Sequence, residues 1–243
     1  MQTSNPALRQ DVFTSVAHTS SETMTIQGTV NKSLFLLLLV FGAATAVWNT
    51  TIAMAGGMVI VGAIGALVLA LVTTFKKEWA GYTAPAYAVL EGALLGGISS
   101  LIEVRYPGIV MQAVGLTFAT TFCMLGAYKT GLLRATDKFK RGMMIAMGGL
   151  FSFYMIIMVI GFFGIHPSFF YGSSSLSIII SLVVVALAAL NLILDFDFIE
   201  SGERVGAPKY MEWYGAFALL VTLVWLYMEI LRLLMKLQDR QRN

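Results

Sequence analysis

Charge is what this chain most lacks. Of its 243 residues only 12% are Asp, Glu, Lys or Arg, while 58% are hydrophobic, and the mean hydropathy is +0.79. Soluble domains carry roughly 25% charged residues, so a water-facing fold of this composition could not cover its own surface. Bilayer is the solvent that makes such a chain reasonable. Cysteine is scarce too: Cys123 stands alone, which excludes a disulfide framework and a cysteine metal site. Set inside an apolar run, it reads as a small helix-packing residue. The two histidines, His18 and His166, fall in a polar tail and a loop, too far apart in sequence to suggest a ligand pair. Enzyme motifs are also missing, with no His-Glu-x-x-His, no Gly-x-Ser-x-Gly and no phosphate-cradling glycine loop. Two membrane acids bring an intramembrane aspartyl protease to mind, but the Tyr-Asp and Gly-x-Gly-Asp surroundings of that class are absent. The expectation is a protein that is not an enzyme and uses no cofactor. The balance is mildly basic, with pI near 9.0, yet the basic residues sit in short loops and form no face for nucleic acid.

What the chain does have is long apolar runs. A helix needs about 20 mostly apolar residues to cross the hydrocarbon core, and seven such runs lie near residues 33–53, 58–75, 82–102, 109–128, 143–163, 176–198 and 214–235. They are continuously apolar and do not alternate as barrel strands would. The expected fold is therefore an all-α membrane protein, a seven-transmembrane-helix bundle forming one domain over 33–237. Residues 1–32 are polar and lack an apolar segment followed by a small-residue cleavage site, so they read as a soluble tail and not as a signal peptide; residues 238–243 form a short polar tail. A tight hairpin is expected between the first two runs, turning at Ala55-Gly56-Gly57. Lys and Arg divide eleven to five between the two sides, which predicts a cytoplasmic N-terminus. Seven spans then put the basic C-terminus outside, against the local rule. The segment Lys138-Phe139-Lys140-Arg141 reads as a cytoplasmic loop and topology signal touching anionic lipid. Gly62, Gly65 and Ala66 on the second run, and Gly92, Gly96 and Ser99 on the third, recur at helical spacing, as close helix packing in lipid requires.

An ionisable group at mid-membrane costs about 2.5–3.5 kcal/mol on insertion scales, so each one asks for a reason. Glu91 lies halfway along the third run, where its plain reading is a buried hydrogen bond pinning helices. Asp195 and Asp197 lie near the end of the sixth, where an interfacial helix end is the bland alternative. Asn191 and Asp195 share a helical face, whereas Asp195 and Asp197 are about 200° apart. Glu212 opens the seventh run, and Thr222, Trp225, Glu229 and Arg232 form a stripe along it. There Glu229 and Arg232 can neutralise each other across one turn. Two carboxyls held close in a low dielectric cannot easily both ionise, so a pair of such acids can switch with pH. Carboxylate oxygens also suit hard cations such as Ca²⁺, with Asp195 as a transient contact.

At these residues the chain resembles the Bax inhibitor-1 family, in its bacterial branch. The resemblance spans most of residues 30–237 and is carried by Phe75-Lys76-Lys77-Glu78-Trp79-Ala80, by Ala84-Pro85-Ala86-Tyr87-Ala88-Val89-Leu90-Glu91-Gly92, by Ala189 through Glu200 around Asp195 and Asp197, and by Glu212-Trp213-Tyr214-Gly215-Ala216-Phe217 running on to Trp225 and Arg232. The resemblance implies a central helix surrounded by the others, and a pH-sensitive calcium leak in a bacterial inner membrane. It further implies paired acids on the sixth and seventh helices, latched by a basic residue at the end of the second. Asp195 matches the sixth-helix acid. Phe75 falls at the latch position with Lys76 adjacent, and Thr222 falls near the seventh-helix acid, with Glu212 and Glu229 two to three turns away. Glu91 belongs to a characteristic motif to which no role attaches. Because the wider family includes proteins that modulate membrane proteases and stress responses, a non-conducting regulator of a membrane protease is the alternative to a cation channel.

Overall fold

The computed structural model describes residues 23–48, 50, 52–165, 167, 170 and 172–242, with backbone only for 52–55. His18, His166, Arg9 and most of the expected N-terminal tail lie outside the described residues. Among the described residues seven helices are long and apolar enough to cross a membrane: α1 (Ile26–Trp48), α2 (Ile52–Phe75), α3 (Ala80–Arg105), α4 (Ile109–Lys129), α5 (Asp137–Phe162), α6 (Ser175–Arg204) and α7 (Met211–Arg242). Among the described residues there is no strand, only an isolated bridge between Thr23 and Pro208. The expected all-α seven-helix bundle is what the chain forms, and it is an integral membrane protein.

Burial runs opposite to that of a soluble protein. Large apolar side chains cover the outside, among them Leu38 at 71% exposure and Ile145 at 77%, while Glu91, Glu212, Glu229 and Lys236 are buried. Lipid tails are as apolar as leucine, so the outward face costs nothing and close packing must hold the helices together. Cys123 is exposed on this outward face, which corrects its reading as a helix-packing residue.

α2 lies chiefly against α3, α3 also against α1, and α7 against α1, α3, α4 and α6. The small residues explain the contacts of α3 with α1 and α2. A Cβ on Gly92 would overlap the carbonyl oxygen of Val40, and one on Gly96 that of Ala44, so α1 and α3 meet backbone to backbone. On the other flank a Cβ on Gly62 would stand 2.8 Å from the Leu90 oxygen. Ala66 is buried in a cluster with Leu36, Tyr87, Ala216 and Leu220, and Ser99 shares a 2.7 Å hydrogen bond with the Tyr227 hydroxyl of α7.

Three expectations change. The break between α1 and α2 falls between Trp48 and Ile52, and Ala55-Gly56-Gly57 is helical. The two helices scarcely touch, because each packs on α3 instead of on the other. Residues 138–141 form the first turns of α5, not a loop: Thr136 caps that helix by accepting from Phe139 N at 3.2 Å. α5 is also the least attached helix, meeting mainly α6. At the opposite end, the carboxylate of Glu103 accepts from the Gly108 and Val110 N–H groups and so caps α4. The Tyr106 hydroxyl donates to Asp239 at 2.6 Å, tying this connection to the end of α7, and that acceptor holds the phenol above its ordinary pKa.

Candidate functional site

α6 and α7 run side by side, and the polar residues of both helices meet along their contact. Asn191 and Asp195 are one turn apart on α6. Asn191 Nδ2 donates to the Thr222 hydroxyl of α7 at 3.0 Å, and that hydroxyl in turn meets the Asp195 carboxyl. The second carboxylate oxygen, Oδ2, is buried with no hydrogen-bond partner among the described residues. A buried acceptor left empty is expensive, and one on an ionisable group inside a membrane span is a reason to look for function.

Asp197 points elsewhere, pairing with Lys140 of α5 at 2.6 Å. Glu200, one turn from Phe196, accepts from Tyr128 at 2.6 Å and pairs with Arg204. Two acids two residues apart thus serve different neighbours, as the pitch of a helix demands.

Glu212 has a structural setting. It is fully buried at the start of α7, where it accepts from the Thr25 N–H and the Thr25 hydroxyl, each at 2.9 Å. It also pairs with Lys32, and with Lys209 at 3.3 Å. Thr25 caps α1 by accepting from Gly28 N, and Glu203 of α6 accepts from Ile26 N at 2.8 Å. A carboxylate at a helix N-terminus meets orphan N–H groups and the positive end of the dipole, so Glu212 clamps the start of α1 to α7. Glu91 is buried too, and its carboxyl meets the Tyr87 hydroxyl on its own helix. Tyr87 packs edge-on against Phe217 of α7, centroids 5.1 Å apart.

Glu229 accepts from Tyr154 of α5 at 2.9 Å and from Arg232 at 3.2 Å. The Arg232 guanidinium also lies 5.9 Å from the Tyr154 ring and 5.6 Å from that of Phe170. These groups border a cavity of about 530 Å³ between α5 and α7, with Trp225 in its wall. One turn beyond Arg232, Lys236 is buried and donates to the Phe170 carbonyl at 2.8 Å and to Ser181 Oγ at 2.9 Å. No carboxylate pairs with it among the described residues. Tyr154, Ser181 and Lys236 were missed in the sequence. A signal existed for Lys236, since Thr222, Glu229 and Lys236 recur every seven residues and so lie on one face of α7, about 21 Å from first to last; none marked Tyr154 or Ser181, which lie on other helices.

The bundle therefore brings together Asp195, Asn191 and Thr222, and separately Glu229, Arg232 and Tyr154. It does not bring Glu212, Glu91 or Asp197 to either group. Lys76 and Phe75 are exposed at the end of α2, and no ion pair among the described residues joins Lys76 to Asp195. No group of three or more metal-binding side chains occurs among the described residues.

No curated protein and no solved structure matches this chain. A family model described as Bax inhibitor 1 like matches residues 5–239. Together with seven apolar helices and the acids on the last two, that match across nearly the whole chain makes the protein a member of the Bax inhibitor-1-like family.

Proposed function

We propose that the protein is a calcium-permeable cation leak of a bacterial inner membrane, N-terminus cytoplasmic, in which Asp195 is the gating carboxyl. The observation that carries this reading is the Oδ2 of Asp195, buried within a membrane helix and without a hydrogen-bond partner among the described residues. A carboxylate there attracts a passing cation with little competition from water. Protonated, it becomes a neutral donor for its neighbours and offers the cation nothing. Thr222 stands where a second acid would be needed to share a proton, and Asp197 is turned to Lys140. The gate is thus one carboxyl and not a pair, supported by Asn191 and Thr222.

Calcium entry into liposomes holding the purified protein tests this. Asp195→Asn keeps the shape and removes the charge. It should slow entry about tenfold or more, since an anion next to a divalent cation is worth several kcal/mol even at an effective dielectric near ~20. Entry that Asp195→Asn leaves unchanged rejects Asp195 as the gate, and the absence of any entry favours a non-conducting regulator.

A further inference from the structure

The cavity between α5 and α7 is lined by one carboxylate, Glu229, and one guanidinium, Arg232. Lys236, one turn on, adds a second positive charge just outside the lining. Among the described residues, the elements packed around them contribute neutral groups: the Tyr154 hydroxyl of α5, the Ser177 carbonyl and Ser181 hydroxyl of α6, and the Phe170 carbonyl. Residues 143–162 of α5 carry no Asp, Glu, Lys or Arg at all. Arg232 Nη1 donates to both oxygens of Glu229, each at 3.2 Å, and to the Tyr154 hydroxyl at 3.3 Å. Its guanidinium therefore occupies the carboxylate that a cation entering this chamber would meet. The chamber has room for several waters, and Trp225 in its wall is one turn from Thr222, the partner of Asn191 and neighbour of Asp195.

We infer that Arg232 is a tethered plug: a cation built into the protein that fills the Glu229 site and closes the half of the path beyond Trp225. This rests on the leak reading above and adds a second point of control, on α7, distinct from Asp195. A permeating divalent cation must displace the guanidinium from Glu229, with the Lys236 ammonium one turn further along α7. Tyr154 positions the pair by donating to Glu229 from the loosely attached α5, so movement of α5 would loosen the plug.

The signs of the variants follow from charge alone. Arg232→Gln frees Glu229 and removes one positive charge, and should raise calcium entry into liposomes about tenfold or more. Arg232→Lys keeps the plug as a weaker point charge and should remain within about threefold of wild type. Glu229→Gln leaves both cations in place and should lower entry. The double variant Glu229→Gln, Arg232→Gln restores the original net charge without the acid, so it should lose the increase. It also removes the risk that a lone buried carboxylate unfolds the protein. Each variant is checked for a single monodisperse species before reconstitution. The plug is overturned if Arg232→Gln, folded, conducts no faster than wild type, or if the double variant conducts as fast as Arg232→Gln. In the Arg232→Gln background, Asp195→Asn should abolish the added entry. If it does not, the leak does not pass Asp195, which faults the gate and not the plug. No calcium entry through any variant defeats the leak reading and the plug with it.

Discussion

Glu212→Gln should lower the thermal unfolding midpoint in detergent by about 6–12 °C, from a loss of about 3 kcal/mol at 2–4 °C for each. The carboxylate is fully buried, yet it satisfies four donors: the Thr25 N–H and hydroxyl, Lys32 and Lys209. Gln retains one acceptor oxygen but brings an amide that faces ammonium groups. Breaking a buried pair costs about 3–5 kcal/mol, mostly because the other charge is stranded. The lower end applies because the Lys32 side chain keeps 20% of its exposure and the Lys209 side chain 44%. Adding Lys32→Met to Glu212→Gln should therefore return part of the loss, a coupling that a double-mutant cycle reads directly. A midpoint within about 1 °C of wild type for Glu212→Gln would mean the clamp contributes nothing. The same variant should leave the relative effect of Asp195→Asn on calcium entry intact, because the two acids do not share partners.

Gly96→Val and Gly92→Val should each prevent recovery of a folded monomer. The added side chain meets main chain, namely the carbonyl oxygens of Ala44 and Val40, which no rotamer change can move aside. Overpacking costs about 1–3 kcal/mol where side chains can yield, and more is expected where two helix backbones must separate. The control is built into the same protein. Gly115 of α4 and Gly148 of α5 have nothing within 4 Å of a Cβ position, so Ala at either should be tolerated and, by helix propensity, slightly favourable. Size-exclusion profiles of the four variants decide it. Equal recovery of all four would refute the backbone contact between α1 and α3.

The parts of this structure legible in the sequence are those that depend on local pattern. Hydrocarbon thickness sets the length of an apolar run, so all seven helices can be read off, and a glycine every four residues marks a close backbone approach. Their ends are harder. Gly56 and Gly57 look like a turn because glycine breaks soluble helices, but in lipid an unmade backbone hydrogen bond is so costly that the helix continues through them. α7 runs to Arg242, beyond the apolar run, because its polar final turns are held by Tyr106 on Asp239. The site was legible only in part. The faces of Asn191, Asp195, Asp197 and the Glu229–Arg232 pair follow from helical pitch. Their partners do not: Lys32 is 180 residues from Glu212, and Tyr154 is 75 from Glu229. Nothing local encodes such pairings, and for Glu212 they turn a gate candidate into a clamp.

Calcium entry measured against pH, for wild type and Asp195→Asn in the same liposomes, bears most directly on the single-carboxyl gate. Entry should rise with pH along a one-proton titration curve, as Asp195 loses its proton and becomes able to attract the cation, and Asp195→Asn should be slow at every pH. A wild-type curve requiring two coupled protons, or a pH response that survives in Asp195→Asn, would contradict it.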